Sequence, residues 1–519
     1  MEQYMKPRAL QEVALPHTIR DAMAWTKALG ERYLWVNCLC VIQDVDANAM
    51  NHVLKAMGHI YATAELTIVA ANGDHANSGL PGFGQLSKMD IKGPIKDTWS
   101  KYVDLIWPHN STWNSRGWTF QEALYSRRLL LFPSESQIIW LCAQTVRHAT
   151  YLKELNFGGP ENVGWYRSMG LPISIKSMSS DLVPLKDWAA VVDSYTKRHL
   201  SFEEDFERAF AGARYGFGPK FPGNVVHGFP QFFFDICMLW LPHLQNTTRR
   251  TNHPTWSWTG WTGDSICETS WMPYLYFRKW VLEDGQEPSP PEPIVRLTAK
   301  ARYTLEGSGF GAEEWFNGFY KYQEYRYDEL MEPPKSWQRH GKGKDQFFTR
   351  LEDKDGNNKY PWPLPDINQY PGTSSDVTFT ALRCETQVAT LDAVDTSGGY
   401  ALDLMCNGEL VGSMKPDLMS VYHEQLDSQS VSCDVIVISH GHVERPEYVR
   451  STLYLSRLLA CAGIKDIRGG RYRYGEYHDY YNVLWVGWEN GVAVRRGIGI
   501  VLQDAWDSLE TKTISFILG

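Results

Sequence analysis

The chain has 519 residues, 43% hydrophobic and 21% charged, with a formal net charge of −9 at pH 7. That length accommodates two or three domains with sizeable cores, and the balance is that of a soluble globular protein. The negative charge argues against general binding to nucleic acid or to an anionic membrane surface. No apolar run approaches a membrane span, and Met1 to Val13 carries no hydrophobic signal core. Nine scattered cysteines without a C-x-x-C pair point to reduced thiols in a cytoplasmic setting, with Cys38 and Cys40 as core residues.

The first third alternates helix and strand signals. Ile19, Ala22, Met23, Thr26 and Leu29 follow helical spacing, with Pro16 before them and Gly30 as a stop. Tyr33 to Ile42 is a continuous apolar run of strand length and reads as the centre of a sheet. Met50, Val53, Leu54, Met57 and Ile60-Tyr61 restore the helical period, and Leu66 to Ala71 reads as the next strand. Arg128 to Phe132 and Gln137 to Cys142 predict two more. Such alternation predicts an α/β domain over residues 1–150, with a doubly wound parallel sheet. Residues 151–253 read as mainly helical. Residues 254–519 read as β-rich, starting with an alternating-Trp strand at Thr255 to Trp261. A polar, Pro-rich insertion or disordered excursion is expected at about 284–376, most clearly from Glu332 to Asp376. Val435 to Ser439 predicts a strand, and Asn490-Gly491 between Tyr481–Trp488 and Val492–Leu502 predicts a type I′ hairpin.

Chemistry concentrates in Arg116-Gly117-Trp118-Thr119-Phe120-Gln121-Glu122. On a helix, Trp118 and Glu122 share a face, and a carboxylate beside an indole is partly desolvated, which raises its pKa. The competing reading makes Trp118 core and Glu122 a solvated or paired surface charge. His52 and His59 lack a third ligand in their block, so no metal site is expected there. His440-Gly441-His442 reads as a turn at a strand end. Asp44 and Asp46 read as caps of the following helix. No nucleophile-elbow, P-loop or dinucleotide glycine fingerprint occurs in a strand-turn-helix context.

Several blocks resemble the fungal heterokaryon-incompatibility (HET) domain family. They are Leu15 to Ala22, Arg32 to Asp44, Met57-Gly58-His59-Ile60-Tyr61 with Leu66 to Ala71, and Arg116 to Glu122 with Ser126-Arg127-Arg128. Pro254 to Trp258 and Arg495 to Gly499 extend the resemblance to long HET proteins. The resemblance implies a TIR-like (flavodoxin-like) N-terminal domain and a role in non-self recognition ending in programmed cell death. By analogy with NAD-cleaving TIR domains, it implies NAD as a substrate, with no permanently bound cofactor. Glu122 would then stabilise an oxocarbenium-like transition state, Trp118 would shape the pocket and Arg116 would meet a phosphate. The implied partners are proteins, or further copies associating through the HET domain. A non-catalytic interaction or regulatory module is the alternative.

Two departures stand out. The A-L-S-Y-x-W-G strand that usually opens the domain is missing, and Asn37 stands where the hallmark strand usually carries Asp. In a flavodoxin-like order the first strand is central. Its loss leaves backbone groups unpaired at about 1–3 kcal/mol each when buried. The expected explanation is a substitute supplied by residues 1–14, a partner strand from elsewhere, or a truncated start.

Overall fold

The computed structural model describes residues 10, 14–42, 47–80, 108, 110–134, 137–142, 145–148, 154–156, 185–223, 225–240, 248–262, 294–306, 316, 318–342, 346–352, 360, 362–365, 381–395, 402–417, 430–444 and 477–519. The chain divides into two compact units, Met1–Ser180 with Lys197–Phe217, and Asp181–Thr196 with Gly218–Gly519. Asp44, Asp46, the Pro-rich run 287–293 and almost all of residues 1–13 lie outside the described residues.

The first unit is α/β. Its helices are α1 (His17–Ala28), α2 (Asn37–Cys40), α3 (Ala47–Thr63), α4 (Thr112–Ser115) and α5 (Thr119–Tyr125). After α6 (Leu185–Thr196), which belongs to the second unit, α7 (Phe206–Phe217) completes it. The sheet runs in the order β1 (Thr67–Ala70), β2 (Arg128–Ser134), β3 (Gln137–Cys142), β4 (Thr145–His148), β5 (Glu154–Asn156). The helix over 17–28 is as the spacing predicts: Pro16 is its N-cap and Gly30 takes φ +82° just past its end. Ala22 and Trp25 pack with Leu130, Phe132 and Ile138 to cover one face of the sheet.

The α/β class is as expected, but the strand directions are not those of a doubly wound parallel sheet. Only β1–β2 is parallel; β2–β3, β3–β4 and β4–β5 are antiparallel. The reading of Tyr33 to Ile42 as a sheet centre is also overturned. Residues 37–40 form a single helical turn, and Tyr33 and Ile42 are 85% and 47% exposed. Cys38 and Cys40 are exposed rather than core. A central strand needs neighbours for its amides on both sides. Here the amides of Cys40 and Val41 are satisfied locally by the carbonyls of Val36 and Asn37.

The second unit holds short two-strand pairs, β6 (Val225–Val226) with β7 (Phe229–Pro230) and β8 (Thr248–Arg249) with β9 (Trp261–Thr262). Helix α8 (Phe234–Met238) lies between the two pairs in sequence. Thr255 to Trp261 is not an alternating strand. Ser257 caps a 3-10 turn at Trp258–Gly260, and Trp256, Trp258 and Trp261 are all buried. Further along come β10 (Ile294–Ala299), β11 (Arg302–Glu306) and α9 (Gly318–Tyr327). In the polar stretch expected as an insertion or excursion, β12 (Trp337–His340) and β13 (Phe347–Arg350) form an antiparallel hairpin with Trp337 and Phe348 buried. That part is ordered because three aromatic-rich positions bury apolar surface: Trp337 also meets the Tyr360 ring at 5.1 Å.

The principal sheet follows: β14 (Ala381–Val394), β15 (Leu402–Cys406), β16 (Glu409–Pro416), β17 (Val431–Glu444), β18 (Tyr477–Glu489), β19 (Val492–Leu502) and, after α10 (Gln503–Asp507), β20 (Lys512–Leu518). Strands β14 to β19 close into a six-membered antiparallel ring, because β17 pairs with both β18 and β14. Leu391, Leu404, Met414, Val435, Val483 and Trp506 belong to its core. The Asn490-Gly491 hairpin is as predicted, with both residues at positive φ. His440-Gly441-His442 is not a turn; it lies within β17 and pairs with both β18 and β10.

Arg495 anchors this region with a fully buried ion pair to Asp417, Nε to Oδ2 at 2.9 Å and the second guanidinium nitrogen to Oδ1 at 3.0 Å. It also donates to the carbonyls of Met238 and Trp240 and lies over the Trp240 ring. Its donors are thus matched on several sides, which is what a buried guanidinium requires.

Candidate functional site

Helix α5 has neighbours on several sides within the first unit. Tyr125 donates from its hydroxyl to the Gly212 carbonyl on α7. Gln121, fully buried, donates to the Ala209 carbonyl at 3.0 Å. Phe120 stacks on Phe210 at 6.2 Å between centroids. The approach is close enough that a Cβ at Gly212 would sit 2.5 Å from Gln121 Oε1, and one at Gly58 of α3 would sit 2.9 Å from the Tyr125 ring. Glycine at these two positions lets α3 and α7 come near α5.

That packing fixes Glu122, whose carboxylate faces inward. Oε1 accepts from the Tyr61 hydroxyl at 3.1 Å, and Oε2 accepts from the Trp113 indole N–H at 2.8 Å. Tyr61 and Trp113 are 6% and 7% exposed. Burial pushes the Glu122 carboxyl above its usual range; the hydrogen bonds from Trp113 and Tyr61, then Arg116 and Arg198, pull it part of the way back. Burial, joined by the adjacent Glu122 charge, drives the Tyr61 phenol far upward in turn. Tyr61 therefore stays a donor across the physiological range.

Arg198 closes the block from behind. It is buried and donates to the Arg116 carbonyl and the Thr119 hydroxyl, both at 3.1 Å, and to Asn114 Oδ1 at 3.2 Å. Its guanidinium lies over the Phe120 ring at 5.3 Å. Arg116 and His199 form a bridge, with the Gly117 amide donating to the His199 carbonyl at 2.8 Å.

Of the three residues singled out from sequence, Glu122 is half-buried at the centre of this network. Trp118 is half-buried at the N-cap of α5, and the Arg116 side chain is exposed. The indole hydrogen-bonded to Glu122 is that of Trp113. Tyr61, Trp113 and Arg198 were not singled out from sequence. Tyr61 sits in a helical period with Met57, a signal for packing rather than for a carboxylate partner. Trp113 and Arg198 come from segments whose proximity to Glu122 only the fold reveals.

Among the described residues no helix is long and apolar enough to cross a membrane. No curated protein and no solved structure matches the chain. A family model described as heterokaryon incompatibility protein (HET) matches residues 2–122, the stretch that contains Tyr61, Trp113 and Glu122. That match supports the HET family for this part of the chain and suggests a role in heterokaryon incompatibility.

Proposed function

We propose that the protein acts in the cytoplasm in non-self recognition that ends in programmed cell death, with the HET segment serving as a docking module for protein partners or further copies. The observation that carries this reading is the double occupancy of Glu122. Both carboxylate oxygens accept from internal donors, Tyr61 and Trp113, so the group already serves to tie α3 and α4 to α5. Docking is further supported by exposed apolar side chains. Four of the nine large hydrophobic residues exposed among the described residues, Met23, Leu29, Tyr33 and Ile42, fall within twenty positions of the HET segment. Tyr33→Ser and Ile42→Ser tests the proposal. Neither side chain is buried, so the melting temperature should hold, while cell death on expression in a fungal host should be lost. Undiminished cell death would remove the docking role.

A second reading, NAD cleavage, is favoured by one observation, the desolvation that raises the Glu122 pKa. In it Trp118 shapes the nicotinamide pocket and Arg116 meets a phosphate. Self-associated protein is incubated with NAD and nicotinamide release followed, with Glu122→Gln alongside. Release by the wild type and none by the variant would establish catalysis; none from either confines Glu122 to its internal role.

A further inference from the structure

The first sheet ends on an open strand. β1 pairs with β2 and, among the described residues, with nothing on its other side. In a parallel pair, alternate residues turn both N–H and C=O to the same neighbour. Ala71 donates to the Phe132 carbonyl at 3.1 Å, so Val69 and Ala71 serve β2 while Ile68 and Ala70 turn their backbone groups to the open side. The backbone groups of Ile68 and Ala70 have no hydrogen-bond partner among the described residues.

A second run of unpaired backbone is Arg32 to Trp35. It lies outside helix and strand and leads into Val36, whose backbone is extended at φ −130° and ψ 122°. Its amides and carbonyls make no hydrogen bond among the described residues. Its side chains nevertheless anchor it to the core that β1 covers. Leu34, like Ile68 and Ala70, packs against the cluster of Ala22, Trp25, Leu130 and Phe132, and Trp35 meets the Tyr61 ring edge-to-face at 5.6 Å. Both stretches, Thr67-Ile68-Val69-Ala70 and Tyr33-Leu34-Trp35-Val36, are rich in the β-branched and aromatic residues that strands favour. Exposed edges are usually blunted by lysine, proline or a bulge. Neither stretch carries lysine or proline, and the β1–β2 register runs unbroken.

We propose that β1 and the Arg32–Val36 run together accept one extended segment of a partner protein as an added strand, apolar at alternate positions and acidic at the end beside Arg32. This rests on the docking reading of the HET segment and names the form of its partner. Unpaired N–H and C=O groups two residues apart are matched by another extended backbone; a lipid offers no such donors, and a helix has already used its own. Alternation follows from the pleat, since Leu34, Ile68 and Ala70 offer apolar surface to every second side chain of the incomer. The acidic end follows from Arg32, which is exposed, lies over the Tyr33 ring at 5.7 Å and has no carboxylate partner among the described residues. Together with Lys27 it outweighs Glu31, so that end is net positive.

The full chain is mixed with a synthetic peptide of alternating valine and threonine with glutamate at both ends, and hydrogen exchange is followed at single-residue resolution. The amides of Ile68 and Ala70, and amides within Tyr33–Trp35, should slow by at least about tenfold. The same peptide N-methylated at alternate residues keeps its apolar surface but loses the donors of one edge, and should bind at least about tenfold more weakly. Arg32→Glu, at an exposed position, should leave the melting temperature unchanged and reverse the preference towards a peptide ending in lysine; an unchanged preference would overturn the acidic end. Protection of these amides in the peptide-free chain would mean that its own residues or a second copy already fill the edge, and would overturn the proposal. So would unaltered exchange with the peptide, protection confined to one of the two stretches, or equal binding of the methylated peptide. Cell death lost in Tyr33→Ser without any peptide-induced protection would keep the docking role and remove the added strand.

Discussion

Replacing Glu122 tests whether the HET block is organised by its carboxylate. Glu122→Ala would leave the Tyr61 hydroxyl and the Trp113 N–H without acceptors in a buried setting. Each orphaned donor costs about 1–3 kcal/mol, so the loss is about 2–6 kcal/mol. Glu122→Gln behaves differently. Its amide oxygen can face Trp113, which only donates, while its NH2 faces Tyr61, whose hydroxyl can rotate to accept. Both hydrogen bonds survive, and the expected cost is under about 1 kcal/mol. Hydrogen exchange of the α5 amides in the full chain reads this locally: the alanine variant should exchange about 30-fold to 10⁴-fold faster, the glutamine variant less than about tenfold. The pH dependence adds a signature with a definite sign. Burial raises the folded-state pKa, so the fold holds the Glu122 proton more tightly than the unfolded chain, in which it dissociates near about 4.3. That stabilisation is complete below the unfolded value and is lost as pH rises through the folded one. Wild-type protection should therefore decline with rising pH across that window, by at most about 1.4 kcal/mol per pH unit, and Glu122→Gln should be flat. Equal exchange in the two variants, or the same slope in wild type and Glu122→Gln, would refute the network account.

Asp417→Asn leaves the Arg495 guanidinium buried without its counter-charge and should cost about 3–5 kcal/mol in urea unfolding. Asp417→Leu with Arg495→Met should be the milder change; strictly additive single costs would show that the pair is not coupled. Gly212→Ala drives a Cβ to 2.5 Å from Gln121 Oε1 and should destabilise by about 1–3 kcal/mol, with a calorimetric shift below about 0.5 kcal/mol counting against close packing of α5 on α7.

Local pattern made much of this fold legible. The caps and period of α1, the Asn490-Gly491 hairpin and strands β1 to β3 all appear where spacing and turn chemistry place them. The Tyr33 to Ile42 run misled because apolar composition reports a preference for burial, whereas a strand also needs partners, and those are set by topology. The Trp256-Ser257-Trp258 run misled in a similar way: alternation suggested a strand, but the Ser257 side chain captures the Thr259 amide and starts a 3-10 turn. At the candidate site, the four-residue spacing found Glu122 but named Trp118 as its indole. Trp113 is nine positions away and reaches the carboxylate through the fold of α4 against α5. The bulge in β17 between Val437 and Ser439 was invisible for the same reason, since register is a relation between two strands.

Strand β14 depends on partners made much later in the chain. It pairs with β15 almost at once, but β17 begins roughly 40 residues beyond it and β20 roughly 120. At about 5–20 residues per second of synthesis, its last partner reaches the ribosome exit about 6–24 s after β14 itself. Through that interval a fourteen-residue strand with one apolar face waits incompletely paired in the nascent polypeptide. Chaperone demand during translation is thus written into the order in which the ring's staves are made.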